Sequence, residues 1–91
     1  MIEDLETRFE KAVTIANTMT QDSLPQDVQL RLYALYKQAT LGSSVSRISP
    51  TYDLRNAFKI NAWMQISHLS IEEAKELYID SILEIYNHRK N

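Results

Sequence analysis

Tyr33, Tyr36, Lys37 and Thr40 stand at i, i+3, i+4 and i+7, so in a helix they form one stripe. Two phenols and an ammonium side by side suit an anionic ligand that carries an aromatic ring. Lysine supplies a point charge and donors for a phosphate, and tyrosine supplies a flat apolar face together with a hydroxyl. Arg55 and Lys59, spaced i, i+4, make a second basic stripe further along the chain. Tyrosines at this spacing are also common as half-buried rim residues, so periodicity alone leaves both readings open.

Other reactive groupings are weaker. Glu72, Glu76, Asp80 and Glu84 form an i+4 ladder that could offer carboxylates to a divalent cation, but its ordinary reading is a solvated outer face with Lys75 as partial compensation. Di-iron bundles require Glu-x-x-His pairs on facing helices, whereas the nearest spacing here, Glu84 to His88, is i+4. His68 falls near the expected end of a helix, where an imidazole suits the dipole. The chain has no Cys, no Gly-x-Ser-x-Gly, no His-Glu-x-x-His and no glycine-rich phosphate loop. The sequence therefore predicts a protein that is not an enzyme and needs no cofactor.

The elements that must position these residues are helical. Ile2 to Met19 carries apolar Ile2, Leu5, Phe9, Ala12, Val13, Ala16 and Met19 in an arc of about 120°. After a connection over residues 20–24, Ser23 and Gln26 read as a capping box, with Pro25 in the first turn of a second helix. That helix runs to about Leu41, with Val28, Leu32, Leu35 and Ala39 on its core face and Gly42 as its stop. Residues 43–52 contain four Ser and the Ser49-Pro50 pair and read as a loop, long enough to set consecutive helices side by side in parallel. Asp53 is the expected N-cap of a third helix from Leu54 to about His68. Its apolar residues fall in two arcs, Ala57, Ile60, Trp63 and Met64 in one and Leu54 and Phe58 in the other, flanking the Arg55 and Lys59 seam. Ser70-Ile71-Glu72-Glu73 is a second capping box, opening a fourth helix with an Ile71, Ala74, Tyr78, Ile82, Ile85 stripe.

Composition narrows the function further. Ninety-one residues make one domain, read as spanning 1–91, and a net charge of -2 provides no broad basic field for nucleic acid or an anionic membrane. The acidic start lacks an apolar signal-like region, and no run reaches the length of a membrane span. The expectation is a cytoplasmic monomer with no stable membrane insertion.

The run Leu24-Pro25, Leu30, then Leu32-Tyr33-Ala34-Leu35-Tyr36-Lys37-Gln38-Ala39-Thr40-Leu41-Gly42 resembles the second helix of the acyl-CoA-binding protein family. Lys59, Ala62-Trp63, Ser70, Glu73-Ala74 and Tyr78-Ile79-Asp80 resemble its third and fourth helices at the right distance, so the likeness covers nearly the whole chain. The resemblance implies an all-α, up-down-down-up four-helix bundle that binds medium- to long-chain fatty acyl-CoA for transport and buffering. It implies a ligand site over Asn17, Leu30, Tyr33, Ala34, Leu35, Tyr36, Lys37, Arg55, Lys59 and Tyr78. By that resemblance Tyr33, Lys37 and Lys59 hold the ribose 3′-phosphate, Tyr36 packs on adenine, and Tyr78 adds a phenol to the same end. Arg55 falls where a polar or basic group lies near the phosphates, and Asn17 falls on a position that is often basic. Leu30 lies under the acyl tail. The chain departs from the family pattern at Ile60, where Trp is frequent, at Ser43, where Asp is usual, and at Gln29, a groove-lip position that is commonly apolar. It also lacks the Arg-Pro-Gly portion of the family loop. These departures bear on acyl preference and the loop. The alternative reading is a helical protein-interaction module whose Tyr-Lys face docks an acidic or aromatic partner motif.

Overall fold

The computed structural model describes residues 3–19, 24–42 and 54–90, with side chains throughout those spans except at 54–56 and 89–90. Within them the chain forms four helices, α1 (Leu5–Thr18), α2 (Gln26–Leu41), α3 (Leu54–Gln65) and α4 (Ile71–Lys90). The expected caps at Ser23 and Asp53 and the 43–52 connection lie outside the described residues.

Local chemistry sets the visible helix ends. Asp4 caps α1 by accepting the Thr7 N–H at 2.8 Å, and this bond holds its carboxyl below the usual carboxylate range. The helix thus starts at Leu5, later than the apolar pattern from Ile2 predicts. Pro25 sits at the N-cap of α2, one position before the expected first turn, and contributes no side-chain cap. Gly42 ends α2 with φ 64°, a left-handed conformation that side chains with a Cβ rarely adopt, and its N–H returns to the Gln38 carbonyl. The Ser70 box closes reciprocally: the Glu73 N–H donates to Ser70 Oγ and the Ser70 N–H donates to Glu73 Oε1, both at 3.0 Å.

Helix α3 stops at Gln65 rather than near His68. Past Trp63 the backbone tightens into i→i−3 bonds, Ile66 N–H to Trp63 O, Ser67 N–H to Met64 O and Leu69 N–H to Ile66 O. Gln38 of α2 captures the freed carbonyls, donating from Nε2 to Ser67 O at 3.2 Å and to Leu69 O at 2.6 Å. His68 is therefore an exposed turn residue and not a helix-terminal one.

Cross-helix pairs fix the topology. Phe9 meets Tyr36, while Asn17 shares a recess with Gln29, so α1 and α2 run antiparallel. Tyr33 meets Lys59 and Gln38 meets Trp63, so α2 and α3 run parallel. Gly42 lies against Ile71 and Tyr36 against Tyr78, so α4 returns antiparallel to α2. Glu6 bonds Lys75 and Arg8 bonds Glu76, which sets α1 parallel to α4. This is the expected up-down-down-up order. The main core joins Phe9, Ala12 and Ala16 to Leu32, Leu35 and Ala39 and to Ala74, Tyr78, Ile79 and Ile82. Helix α3 contributes Trp63, fully buried against Ala34, as a smaller second cluster.

Two expected arcs need correction. In α3, Ala57 and Met64 were placed with Trp63 on one apolar face, yet Ala57 is exposed and Met64 is 57 % exposed. A short helix packed mainly on α2 has one narrow buried strip, and Trp63 fills it. In α4, Ile71 is half exposed while Ile79, absent from the expected stripe, is buried. Packing against both α1 and α2 makes the buried face of α4 wider than a single stripe.

Candidate functional site

The seven residues of the α2 segment from Tyr33 to Ala39 alternate between core and surface. Ala34, Leu35, Gln38 and Ala39 are buried, whereas Tyr33 and Lys37 are half-buried and Tyr36 is exposed. Anchoring on one face thus holds the phenols and the ammonium at a fixed height on the other. Gln38 completes the fixation from below. It is the one polar side chain among the described residues that is fully buried, and its Oε1 accepts the Trp63 Nε1–H at 2.8 Å. Because Trp63 lies one turn beyond Lys59 on α3, this bond sets the height of Lys59 relative to α2.

The consequence is a convergence of charge. Lys37 Nζ lies 5.6 Å and Lys59 Nζ lies 5.2 Å from the centroid of the same Tyr33 ring, the first from α2 and the second from α3. Each distance is in cation–π range. Neither ammonium has a carboxylate partner among the described residues, in contrast to Lys11, which pairs with Glu3, and Lys75, which pairs with Glu6. Two like charges gathered around one phenol without a counter-ion are suited to receive an anion.

Beside them is an aromatic cluster. The Phe9 and Tyr36 rings stack with centroids 6.2 Å apart, Phe9 and Tyr78 lie tilted at 5.3 Å, and Tyr36 and Tyr78 lie tilted at 6.0 Å. Tyr78 is 5 % exposed, and its burial, with Tyr36 nearby, pushes its hydroxyl up to about 12. Tyr78 is thus neutral at any physiological pH. Tyr36, at 39 % exposed, presents the open face of the cluster. Val13, Asn17, Gln29, Leu32, Tyr33, Tyr36 and Tyr78 line a recess of about 340 Å³. A second recess, about 450 Å³, runs between α2 and α3 past Leu30, Ala34, Leu35, Phe58, Ala62 and Ile66.

The residues singled out in the sequence are therefore sorted into groups. Tyr33, Lys37 and Lys59 meet at one ring, and Asn17, Tyr33, Tyr36 and Tyr78 share the first recess. Leu30 faces the second recess with Ala34 and Leu35, which at 2 % and 1 % exposed act mainly as packing. The side chain of Arg55 lies outside the described set. Gln29 turns its amide back to the Leu24 carbonyl at 2.8 Å and so helps fix the approach to α2. Sequence reasoning gave Gln38, Phe9 and Lys75 no place in the ligand site. Gln38 was legible as a polar residue falling between Leu35 and Ala39 on a core face. Phe9 was assigned to the core, and its contact with Tyr36 depends on the α1–α4 packing. Lys75 places its ammonium 5.6 Å from the Phe9 centroid while bonding Glu6, thereby bracing that contact.

Antiparallel outer pairs around a parallel α2 and α3 define a small all-helical domain of up-down-down-up order. Residues 6–82 match the family described as acyl CoA binding protein, and the chain belongs to that family. The acyl-CoA-binding protein of Ricinus communis is 34 % identical over 83 residues, an alignment that covers 91 % of this chain and 87 % of that protein. Acyl-CoA-binding domain-containing protein 5 of Xenopus laevis is 31 % identical over 83 residues, covering 88 % of this chain but 18 % of that protein, so the chain spans under a fifth of that relative's length. The crystal structure of acyl-CoA-binding protein 2 from Oryza sativa superposes with a TM-score of 0.86 at 30 % identity, covering 96 % of each chain.

Proposed function

We propose that this chain is a single non-catalytic domain that binds medium- to long-chain fatty acyl-CoA esters, keeps them soluble in the cytoplasm and delivers them as a monomer. The observation that carries the reading is the pair of lysines around Tyr33, supplied by two helices and without carboxylate partners among the described residues. In this reading Lys37, Lys59 and Tyr33 receive the 3′-phosphate, and the exposed face of Tyr36, backed by Phe9 and Tyr78, receives the adenine. Asn17 edges the head-group region, and the family resemblance adds Arg55 as a further ligand residue. The α2–α3 recess past Leu30 and the half-exposed Phe58 accepts the acyl chain, with Ala34 and Leu35 as its floor.

The energetics suit retention without reaction. Each methylene removed from water contributes about 0.8 kcal/mol, so a dozen partly covered methylenes supply roughly 5–8 kcal/mol, and charge-assisted bonds to the phosphate add to this before association costs are subtracted. Binding alone shields the thioester from hydrolysis and from membranes. Among the described residues, no helix is long and apolar enough to cross a membrane.

Titration calorimetry with a dodecanoyl-CoA thioester and with free coenzyme A tests this directly. The thioester should bind at least about a hundredfold tighter, the result of covering several methylenes. Equal affinities would remove the acyl groove, and no heat from either ligand would favour the protein-docking alternative.

A further inference from the structure

A third recess, about 590 Å³, lies on the opposite edge of α2, between its first turns and the last turns of α4. Its size is in the range of small-molecule sites. Val28, Leu32 and Ile85 make its floor, and Arg31, Glu84 and His88 stand at its rim. It contains none of the phenols or lysines of the site described above. Ser81, Glu84, Ile85 and His88, which form this wall, lie on the last turns of α4. Glu84, the last carboxylate of the acidic ladder, and His88 at i+4 from it take no part in the acyl-CoA reading.

The rim chemistry selects a ligand. Arg31 and Glu84 are exposed, of opposite charge, and without ion-pair partners among the described residues. An anionic head would gain from Arg31 and be repelled by Glu84, and a cationic head would meet the reverse. A zwitterion would offer each rim group an opposite charge, but exposed ion pairs of this kind return little. A neutral hydroxylated head meets neither penalty, because its oxygens accept from the guanidinium and its hydroxyls donate to the carboxylate. The floor requires an apolar chain. We propose that this recess is a second binding site, for a neutral single-chain amphiphile with a hydroxylated head, of the monoacyl glycerol type. The proposal is independent of the acyl-CoA reading.

The test compares four ten-carbon amphiphiles below their micelle concentrations: monodecanoyl glycerol, decanoate, decyltrimethylammonium and decylphosphocholine. Binding is followed by methyl NMR of the full chain. Monodecanoyl glycerol should shift the Val28 and Ile85 methyls and bind about fivefold or more tighter than the other three. Glu84→Gln, a surface change, should weaken the glycerol ester about fivefold while improving decanoate. The proposal is overturned if a charged or zwitterionic head binds as tightly, if the shifts fall on Leu30 and Ala34 instead, or if Glu84→Gln leaves all four affinities unchanged.

Discussion

Four lysine side chains are described, and they divide by partner. Lys11 and Lys75 sit against Glu3 and Glu6, whereas Lys37 and Lys59 share the Tyr33 ring. Exposed ion pairs of the first kind contribute little to stability, so the pairing is informative chiefly for the two lysines it leaves out. The neighbouring phenol is governed by burial instead. With the Tyr78 hydroxyl pushed up to about 12 from 10.0, the unfolded chain releases this proton at lower pH than the folded one. Stability from this group is fully present below pH 10 and is lost as pH rises toward 12. The loss should reach on the order of 2 kcal/mol. Urea denaturation of the native protein and of Tyr78→Phe between pH 9 and 11.5 checks it. The native curve should fall more steeply, and parallel curves would show that Tyr78 titrates normally in the fold.

At the scale of elements, one amide determines where α3 ends and how high it sits. Gln38 holds the Ser67 and Leu69 carbonyls and the Trp63 indole, and it is 1 % exposed. Replacing it by Leu leaves the buried Trp63 indole N–H without its acceptor and takes the amide donor away from the Leu69 carbonyl, which should cost about 2–4 kcal/mol. Because the same bonds set Lys59 against Tyr33, Gln38→Leu should also weaken acyl-CoA binding with both lysines intact. Denaturation and calorimetry on that variant measure the two effects, and a stability loss with unchanged affinity would separate α3 height from the site. This element also marks the limit of legibility. The four helices, the Gly42 stop and the Ser70 box were readable because caps and periodicity are local. The early end of α3 was not, since it depends on a side chain 25 to 31 residues earlier in the chain. Met64 and Ile79 were misplaced for a related reason: an apolar arc shows that a face exists, and only the packing partners decide its width.

For the whole molecule, the up-down-down-up order makes a site of residues that no single helix holds. Tyr33, Tyr36 and Lys37 were legible as a stripe on α2, and Lys59 and Tyr78 were added by family resemblance. Their meeting requires α3 parallel to α2 and α4 antiparallel to it. Tyr33 can therefore be flanked by both ammoniums only in the folded bundle, and the central claim is that this convergence reads the 3′-phosphate of coenzyme A. The direct measurement is a double-mutant cycle by calorimetry, pairing Lys37→Ala or Lys59→Ala with removal of the 3′-phosphate from a dodecanoyl-CoA thioester. Each lysine change should cost about 1.5–3 kcal/mol against the intact ligand. Removing the phosphate should cost the native protein a comparable amount and the lysine variants much less, with folding stability little altered. If the lysine variants bind both thioesters as tightly as the native protein, these residues do not read the phosphate and the claim is contradicted.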